Sequence, residues 1–378
     1  MDAEDFGHVL AAVREFVRKE VVPRETEIDE RDEIPAEVRA KAAELGLFGW
    51  ALPEEYGGLG LRMAEDVRLA IELGYTTPAF RSLFGTNNGI AGQAIVNYGT
   101  PDQKTRWLPR LAAGQAIASF ALTEAEAGSD PSGLTSRAVR EGDRYRVSGA
   151  KRFITNAPLA EVFVVFARTD LESTGSRGIS ALLVPAGAPG VTIGPHDAKM
   201  GQAGAWTSEV FFENVEVSTD ALIGEEGQGF GIAMASLARG RLHIAALCVG
   251  MAERALEEAV EYARTARQGG QVIGQYQLVQ ALLAESYAEL AAGRAMVHDA
   301  AGEYDSGEDR KLGPSSAKLF CTEMLGRVAD RAVQVHGGMG YVRGVTVERI
   351  YRDARLFRIY EGTSEIQKLV IARQLLGS

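Results

Sequence analysis

The spacing of apolar residues changes twice along the chain, and this order of patterns constrains the fold more than any other feature. From residue 1 to about 120, apolar side chains such as Phe6, Val13 and Phe16 share one helix face, as in amphipathic helices. Helical spacing returns from about 231 to 378. The sequence therefore predicts an N-terminal helical domain and a C-terminal four-helix bundle on either side of a different middle segment.

The middle segment, residues 121–230, is richer in β-branched and turn residues. The apolar runs 162–166 and 181–184 indicate buried strands, and Tyr145 and Val147 alternate with arginines as in a half-buried strand. No long helical pattern interrupts these runs, so the segment favours a small antiparallel barrel or sandwich over parallel βαβ units. The predicted class is α+β, with helical, β and helical domains in that order.

Composition argues against several classes of function. The formal net charge of −11 disfavours nucleic acid or an anionic membrane as the main partner. Cys248 and Cys321 are far apart, and the five histidines lack metal-ligand spacing, so neither a disulfide framework nor a metal site is predicted. No apolar run approaches the roughly 20 residues of a membrane span, and the acidic N-terminus lacks a signal core. We therefore expect a soluble, cytoplasmic protein.

Residues 121–130, Ala-Leu-Thr-Glu-Ala-Glu-Ala-Gly-Ser-Asp, form the first segment able to carry chemistry. They lie where the helical pattern gives way to the strand pattern. The hydroxyl groups and the glycine can present backbone N–H groups and side-chain hydroxyls to one ligand. Taken alone, the segment is also explained by an ordinary capped turn.

Residues 151–156, Lys-Arg-Phe-Ile-Thr-Asn, form the second segment. Phe153 and Thr155 are two positions apart, so they share one side of a strand. Phe153 could then cover a flat ring while Thr155 forms a hydrogen bond with the edge of that ring. The alternative is a half-buried strand that ends in a turn at Asn156.

Two glycine-rich segments follow, at residues 224–231 and 334–341. The second has three glycines in four residues, which allows a ligand or another chain to approach the backbone closely. Neither segment has the GxGxxG spacing, and no predicted strand leads into either, so a Rossmann site is disfavoured. The alternative for both is a loop that simply ends a helix.

Glu361 lies in a break between two helical patterns, beside Gly362. A capping box is predicted directly after it, from Ser364 and Gln367. A carboxylate in such a loop is free to enter a cavity. The alternative is a solvent-exposed glutamate near the positive end of the last helix.

In this order and spacing, the segments resemble those of the acyl-CoA dehydrogenase family, and the similarity runs nearly end to end. Residues 53–60 look like the family's N-terminal loop, and residues 121–130 are similar to one family signature. Residues 360–363, Tyr-Glu-Gly-Thr, are similar to the second signature. The resemblance implies the acyl-CoA dehydrogenase fold, an acyl-CoA substrate and a homotetramer.

The resemblance also implies noncovalently bound FAD between the β domain and the C-terminal helices. The residues that it assigns to the cofactor are Leu122, Thr123, Gly128, Ser129, Phe153, Thr155, Arg267, Gln334, Gly337, Gly338 and Thr363. Those at positions 334, 337 and 338 would contact the FAD of a neighbouring subunit. The residues that it assigns to the substrate are Ser129, Arg241, Tyr360 and Gly362.

Glu361 is the catalytic base that the resemblance implies. It would remove the α-proton of the thioester while a hydride passes from Cβ to flavin N5, and the electrons would continue to an electron-transfer flavoprotein. Hydrogen bonds from the Glu361 backbone N–H and a flavin ribityl hydroxyl would stabilise the developing enolate. One subgroup of the family places its base at the position of Gly240, which has no side chain to act as a base.

Some positions depart from the family pattern. Ala266 and Gly269 stand where an Arg and a Phe often contact the partner's FAD, so we expect weaker FAD retention unless Arg267 substitutes. Changes near residues 203, 205 and 238 leave an acyl carrier protein thioester as an alternative to acyl-CoA.

The polar segment 86–90 is expected to line the acyl pocket and to favour a short or functionalised acyl chain. An acyl-thioester oxidase and a non-catalytic homologue remain alternative functions. A nitroalkane oxidase of this fold uses an aspartate as its base, which Glu361 argues against.

Overall fold

A computed structural model describes residues 1–377. The helices of the N-terminal part are α1 (Ala3–Phe16), α2 (Glu25–Arg31), α3 (Ala36–Glu44), α4 (Met63–Gly74), α5 (Pro78–Asn88), α6 (Ile90–Tyr98) and α7 (Pro101–Ala112). The start of helix α7 is defined by side-chain hydrogen bonds at its N-terminus. The Thr100 side chain accepts a hydrogen bond from the Gln103 N–H, and the Gln103 side chain accepts one from the Thr100 N–H at 3.0 Å, which is a capping box.

The middle part is a sheet of strands β1 (Ala118–Ala121), β2 (Arg137–Glu141), β3 (Arg144–Thr155), β4 (Val162–Arg168), β5 (Ile179–Pro185), β6 (Val191–His196), β7 (Thr207–Ser218) and β8 (Leu222–Ile223). The strand order is β6-β7-β3-β2-β4-β5-β8, with β1 also paired to β4. Strands β1 and β2 run parallel to β4, and the other pairs are antiparallel. The sequence predicted an antiparallel sheet, but the sheet is mixed. Parallel strands need a long connection between them, and the β2–β3 hairpin provides it between β1 and β4.

The C-terminal part contains α8 (Gly229–Thr265), α9 (Gln277–Ser306), α10 (Leu312–His336), α11 (Thr346–Phe357) and α12 (Ser364–Leu376). A short ribbon of β9 (Arg267–Gln268) and β10 (Gln271–Val272) connects α8 to α9. The predicted order of helices, strands and helices is confirmed. The domain boundaries after residues 120 and 230 stay predictions.

One apolar core joins the two helical parts, because α4 packs against α8. Glycines let these helix backbones approach closely: a Cβ atom at Gly250 would lie 2.0 Å from the Ile71 carbonyl oxygen, and one at Gly74 would lie 2.2 Å from that of Leu247. Helix α8 is long and apolar enough to cross a membrane by length and composition alone. However, 78% of its most apolar stretch is buried inside the fold, as in the core helix of a globular protein.

Candidate active site

Glu361 lies in the short loop between α11 and α12, in a left-handed backbone conformation with φ +53°. This conformation is uncommon for a residue other than glycine and marks strain that the surroundings must hold in place. The Gln367 side-chain amide donates hydrogen bonds to the carbonyl oxygens of Glu361 (3.2 Å) and Gly362 (3.0 Å). The Lys318 Nζ atom also donates to the Gly362 carbonyl, at 2.7 Å. Two side chains from outside the loop therefore fix its path.

The N-cap of α12 is one residue earlier than the sequence predicted. The Thr363 hydroxyl accepts the hydrogen bond from the Ile366 N–H at 3.3 Å. The Ser364 hydroxyl donates instead to Glu323 on α10, at 2.6 Å. The capping box from Ser364 and Gln367 is therefore wrong, since Gln367 points back to the Glu361 loop rather than to the cap.

Glu361 is half-buried, and one oxygen of its carboxylate is buried without a hydrogen-bond partner. Its Oε2 atom has no donor among residues 1–377. A Cβ atom at Gly240 on α8 would lie 2.2 Å from this oxygen, so the glycine makes the space that the carboxylate occupies. Burial raises the pKa of Glu361, and the positive charges of Arg81, Lys318 and Arg241 oppose this rise. The arrangement is that of a base with raised proton affinity.

Three buried cations act electrostatically on this carboxylate. Arg81 and Arg241 are each 7% exposed, and Lys318 is fully buried. Arg241 Nη1 donates a long hydrogen bond of 3.4 Å to the Ser315 hydroxyl, and burial lowers its pKa. Burial lowers the pKa of Lys318 to about 8, so this side chain is still mostly charged at neutral pH.

Sequence reasoning placed Arg241 at the site but missed Arg81 and Lys318. A signal for Arg81 was present: it lies in an apolar and aromatic helix, and positions 77, 78, 84 and 85 hold no acidic residue to pair with it. Lys318 carries no comparable signal, because its contact with the Glu361 loop joins residues that are far apart in the sequence.

The first two sequence segments meet in the β domain. The Arg152 N–H donates to the Thr123 carbonyl at 2.9 Å, and Lys151 Nζ donates to the Leu122 carbonyl at 3.2 Å. Lys151 also forms a buried ion pair of 2.8 Å with Glu124. Leu122 is buried in this contact, Thr123 is half-buried, and the following residues Gly128 and Ser129 are exposed.

Phe153 lies at an irregularity of β3, where the pairing with β7 shifts between Lys151 and Ile154. Its φ is +58° and its side chain is 59% exposed, with the Arg152 guanidinium 4.1 Å from the ring centroid. Thr155, two positions on, is half-buried. An exposed ring on a strained backbone beside a hydroxyl fits the edge and face of a flat cofactor ring.

Gln334, Gly337 and Gly338 lie together on the exposed end of α10 and the turn after it. A Cβ atom at either glycine would meet nothing within 4 Å, so packing inside this chain does not require glycine there. This end is roughly 28 Å along the helix from Lys318, at 1.5 Å per residue. Arg267 is exposed in β9. Of the predicted residues, Arg241, Tyr360, Gly362 and Thr363 therefore lie near Glu361. The exposed group at positions 267, 334, 337 and 338 lies away from it.

Two asparagines of the polar segment 86–90 form buried hydrogen bonds to the backbone, and the place of this segment in the acyl pocket stays a prediction. The Asn87 amide donates to the carbonyls of Leu111 (3.2 Å) and Ala116 (3.0 Å). The Asn88 amide donates to the carbonyls of Leu47 (2.8 Å) and Phe84 (3.0 Å). Because both amides already bind backbone groups, their polarity gives no information on the acyl chain.

Comparisons with known proteins show the family to which this chain belongs. The family models described as the acyl-CoA dehydrogenase N-terminal, middle and C-terminal domains match residues 4–115, 119–215 and 227–376. The Bacillus subtilis protein named acyl-CoA dehydrogenase is 38% identical, over 97% of this chain and 96% of its own. CarC, the caffeyl-CoA reductase-Etf complex subunit of Acetobacterium woodii, is 37% identical over 96% of both chains. The solved structure of PigA with FAD and proline has a TM-score of 0.95 and 28% identity, covering 99% of both chains.

Proposed function

Because this chain belongs to the acyl-CoA dehydrogenase family and is an oxidoreductase of that family, we propose that it desaturates an acyl-CoA thioester between Cα and Cβ. Glu361 is the base that removes the α-proton. The observation that carries this proposal is the buried, unpartnered carboxylate oxygen of Glu361, because burial raises the proton affinity of the group.

FAD is the cofactor of this proposal, and when bound it supplies the acceptor for the hydride that leaves Cβ. The solved structure of PigA, which has the same fold, contains FAD. Residues 122, 123, 128, 129, 153 and 155 would hold it in the β domain, with Thr363 beside the Glu361 loop. The exposed positions 334, 337 and 338, with Arg267, would meet the FAD of a second copy. Their distance from the Glu361 loop is consistent with contact to a second copy, as in the homotetramer that the family resemblance implies.

The Glu361 loop would also position the thioester carbonyl. The Glu361 N–H donates to no backbone carbonyl of residues 1–377, so it is available to the carbonyl oxygen of a substrate. A fixed donor at this oxygen stabilises the charge that develops when the α-proton leaves. Lys318 and Gln367 hold the two carbonyls of the loop and thereby keep this N–H and the carboxylate in one orientation.

Reduction of an enoyl-CoA is the second candidate, because the relative CarC is named as a subunit of a reductase complex. Glu361 would serve both directions, since a base that takes the α-proton can return it. The name of CarC also includes Etf, which supports an electron-transfer flavoprotein as the redox partner of this chain.

Anaerobic titration of the FAD-loaded enzyme with acyl-CoAs tests the proposal. We expect saturated acyl-CoA to bleach the visible flavin absorbance of the wild type, and Glu361→Gln to bleach at least about 10²-fold more slowly. Bleaching of that variant at the wild-type rate would contradict the assignment of the base. If only enoyl-CoA reoxidises the dithionite-reduced enzyme and saturated acyl-CoA has no effect, the enzyme acts as a reductase.

A further inference from the structure

The loop that carries Glu361 is closed on itself by a backbone hydrogen bond. Glu361 and Gly362 both have left-handed backbone conformations, with φ values of +53° and +87°, so the chain reverses its direction tightly between α11 and α12. The Ser364 N–H then donates to the Arg358 carbonyl at 3.1 Å. Arg358 and Ser364 are therefore the two ends of the loop, and a group that holds both ends fixes the course of the residues between them.

Glu323 on α10 contacts both ends of this loop. Its Oε1 atom accepts a hydrogen bond of 2.6 Å from the Ser364 hydroxyl, and its Oε2 atom accepts one of 3.4 Å from Arg358 Nη1. The bond from the buried hydroxyl is the stronger contact, because a charged acceptor strengthens a hydrogen bond. The ion pair is partly exposed and contributes little by itself. One carboxylate thus joins the residue at the start of the loop to the residue at its end.

Helix α10 is shaped to receive Arg358. A Cβ atom at Gly326, one turn after Glu323, would lie 3.3 Å from Arg358 Cζ, so the guanidinium lies directly against the backbone of the helix. Lys318, earlier on the same helix, donates to the Gly362 carbonyl at 2.7 Å. Helix α10 therefore holds the loop at its middle and at both of its ends.

The other supports of the loop act differently from Glu323. Gln367 binds the carbonyls of Glu361 and Gly362, but it belongs to α12 and moves with the end of the loop. Lys318 is outside the loop but contacts only its middle. Glu323 ties both ends to a separate helix, so its loss would free the loop in a way that these two supports do not prevent.

We propose that Glu323 is a positioning residue for the base, which keeps Glu361 in the orientation that proton transfer needs. This inference rests on the proposed function and adds a residue to it. Glu323 acts through Arg358 and Ser364. When both contacts are lost, the ends of the loop separate from α10. The strained conformation of Glu361 then relaxes, and its carboxylate leaves the space beside Gly240.

Two tasks of the loop depend on this orientation. The Glu361 carboxylate must face the α-proton, and the Glu361 N–H must face the thioester carbonyl oxygen. Because both groups belong to one residue, a shift of the loop disturbs both of them, and a displacement of about 1 Å costs about 10²-fold in rate. The rest of the coenzyme A thioester still binds, so we expect kcat to fall more than KM rises.

The pH dependence of kcat and kcat/KM in the FAD-loaded enzyme, measured with an acyl-CoA and an artificial electron acceptor, tests this proposal. For Glu323→Ala we expect kcat to fall by about 10- to 10²-fold, with KM within a few fold. The acid limb of kcat/KM, which reports the free enzyme, should move to lower pH. A loosened loop admits water, and water relieves the burial that raises the pKa of Glu361.

Ser364→Ala separates the contact from the charge. This variant removes the hydrogen bond to Glu323 without changing a charge, and it leaves the charges of Arg81, Arg241 and Lys318 near Glu361 in place. We expect kcat and the acid limb to change in the same directions as in Glu323→Ala, by a smaller amount, because the Arg358 contact remains.

Glu289→Ala is the matched control. Glu289 on α9 also bridges two groups, because it accepts hydrogen bonds from Arg327 at 2.8 Å and from Arg331 at 2.9 Å on α10. Its side chain is 25% exposed and that of Glu323 is 33% exposed. Its loss should lower the thermal midpoint but leave kcat and the acid limb unchanged below the unfolding transition.

Failure of this proposal differs from failure of the proposed function. The proposal is overturned if Glu323→Ala keeps the wild-type kcat and acid limb, or if Glu289→Ala changes them equally. It is also overturned if Ser364→Ala leaves both unchanged, since charge rather than contact would then matter. In these cases the wild type still reduces its flavin and the proposed function stands. If no acyl-CoA reduces the wild-type flavin, the proposed function fails and this inference fails with it. Should Glu323→Ala fail to fold, Ser364→Ala decides the matter alone.

Discussion

Two glutamates of this chain, the buried Glu124 and the half-buried Glu361, differ sharply in their surroundings. In the β domain, Glu124 forms an ion pair with Lys151 at 2.8 Å and accepts hydrogen bonds from the N–H groups of Thr135 (2.7 Å) and Ser136 (2.9 Å). Its pKa is lowered to about 2, because these partners outweigh its desolvation. In the helical part, Glu361 has three cations nearby but no donor on Oε2, and burial raises its pKa.

The difference shows that an adjacent ion pair with direct hydrogen bonds lowers the pKa of a desolvated carboxylate, whereas the three cations near Glu361, without a donor on Oε2, do not outweigh its desolvation. Because Glu124 is fully bonded and its pKa is about 2, it does not accept a proton readily, and it joins residues 121–130 to residues 151–156. The unsatisfied Glu361 is held ready for a proton by a strained loop and by Gly240. The first residue has the surroundings of a structural group, and the second has those of the base in the proposed function.

Removing the charge of Glu361 should give the largest effect. We expect Glu361→Gln to lower kcat by roughly 10²- to 10⁴-fold, with little change in thermal unfolding, because Oε2 accepts no hydrogen bond that holds the fold. Stopped-flow flavin reduction and differential scanning calorimetry would measure the two quantities. A variant that unfolds many degrees earlier would show that Glu361 is structural, like Glu124.

The same change at Glu124 should act on stability. Glu124→Gln leaves Lys151 buried without its partner, and breaking a buried pair costs about 3–5 kcal/mol. We expect a clear drop in the thermal midpoint and weaker FAD retention, since the pair joins residues 121–130 to 151–156. An unchanged midpoint would mean that this ion pair does not hold the segments together.

A methyl group at Gly240 should disturb the base while the fold persists. The added Cβ atom would lie 2.2 Å from Glu361 Oε2, so the carboxylate must move away. Misplacement by about 1 Å can cost about 10²-fold in rate, and we expect a loss of kcat of that order for Gly240→Ala. Gly231→Ala on the same helix, where nothing lies within 4 Å, is the control. Equal kcat values for the two variants would contradict the contact.

The pH dependence of kcat/KM should show the smallest effect, and it compares Glu361 with Glu124 directly. The base acts only when ionised, so kcat/KM should fall on the acid side with a pKa above the ordinary value of glutamate, in the direction that burial imposes on Glu361. Lys318→Met removes one opposing cation and should move this limb to higher pH. Glu124, with a pKa of about 2, should contribute nothing to the limb. A limb that is unchanged in Lys318→Met would exclude Lys318 from the electrostatics of the base.

The sequence predicted some of these features and missed others for physical reasons. The order of helices and strands follows from local apolar spacing, and the Glu361 loop was found through its helix break and its resemblance to a family signature. The parallel pairing of β1 with β4 and the contact of Lys318 with the Glu361 loop were not predicted, because both depend on contacts between distant parts of the chain. The N-cap at Thr363 was missed by one residue, since either hydroxyl satisfies the local pattern.

Exchange of the α-proton tests the central assignment most directly, because it isolates proton transfer from the redox step. The FAD-loaded enzyme would be incubated anaerobically in deuterium oxide with an acyl-CoA, and deuterium at Cα would be measured by mass spectrometry. Our account predicts deuterium incorporation by the wild type and by Glu124→Gln at a temperature where that variant is folded, and at least about 10²-fold slower incorporation by Glu361→Gln. Incorporation by Glu361→Gln at the wild-type rate would show that another group is the base.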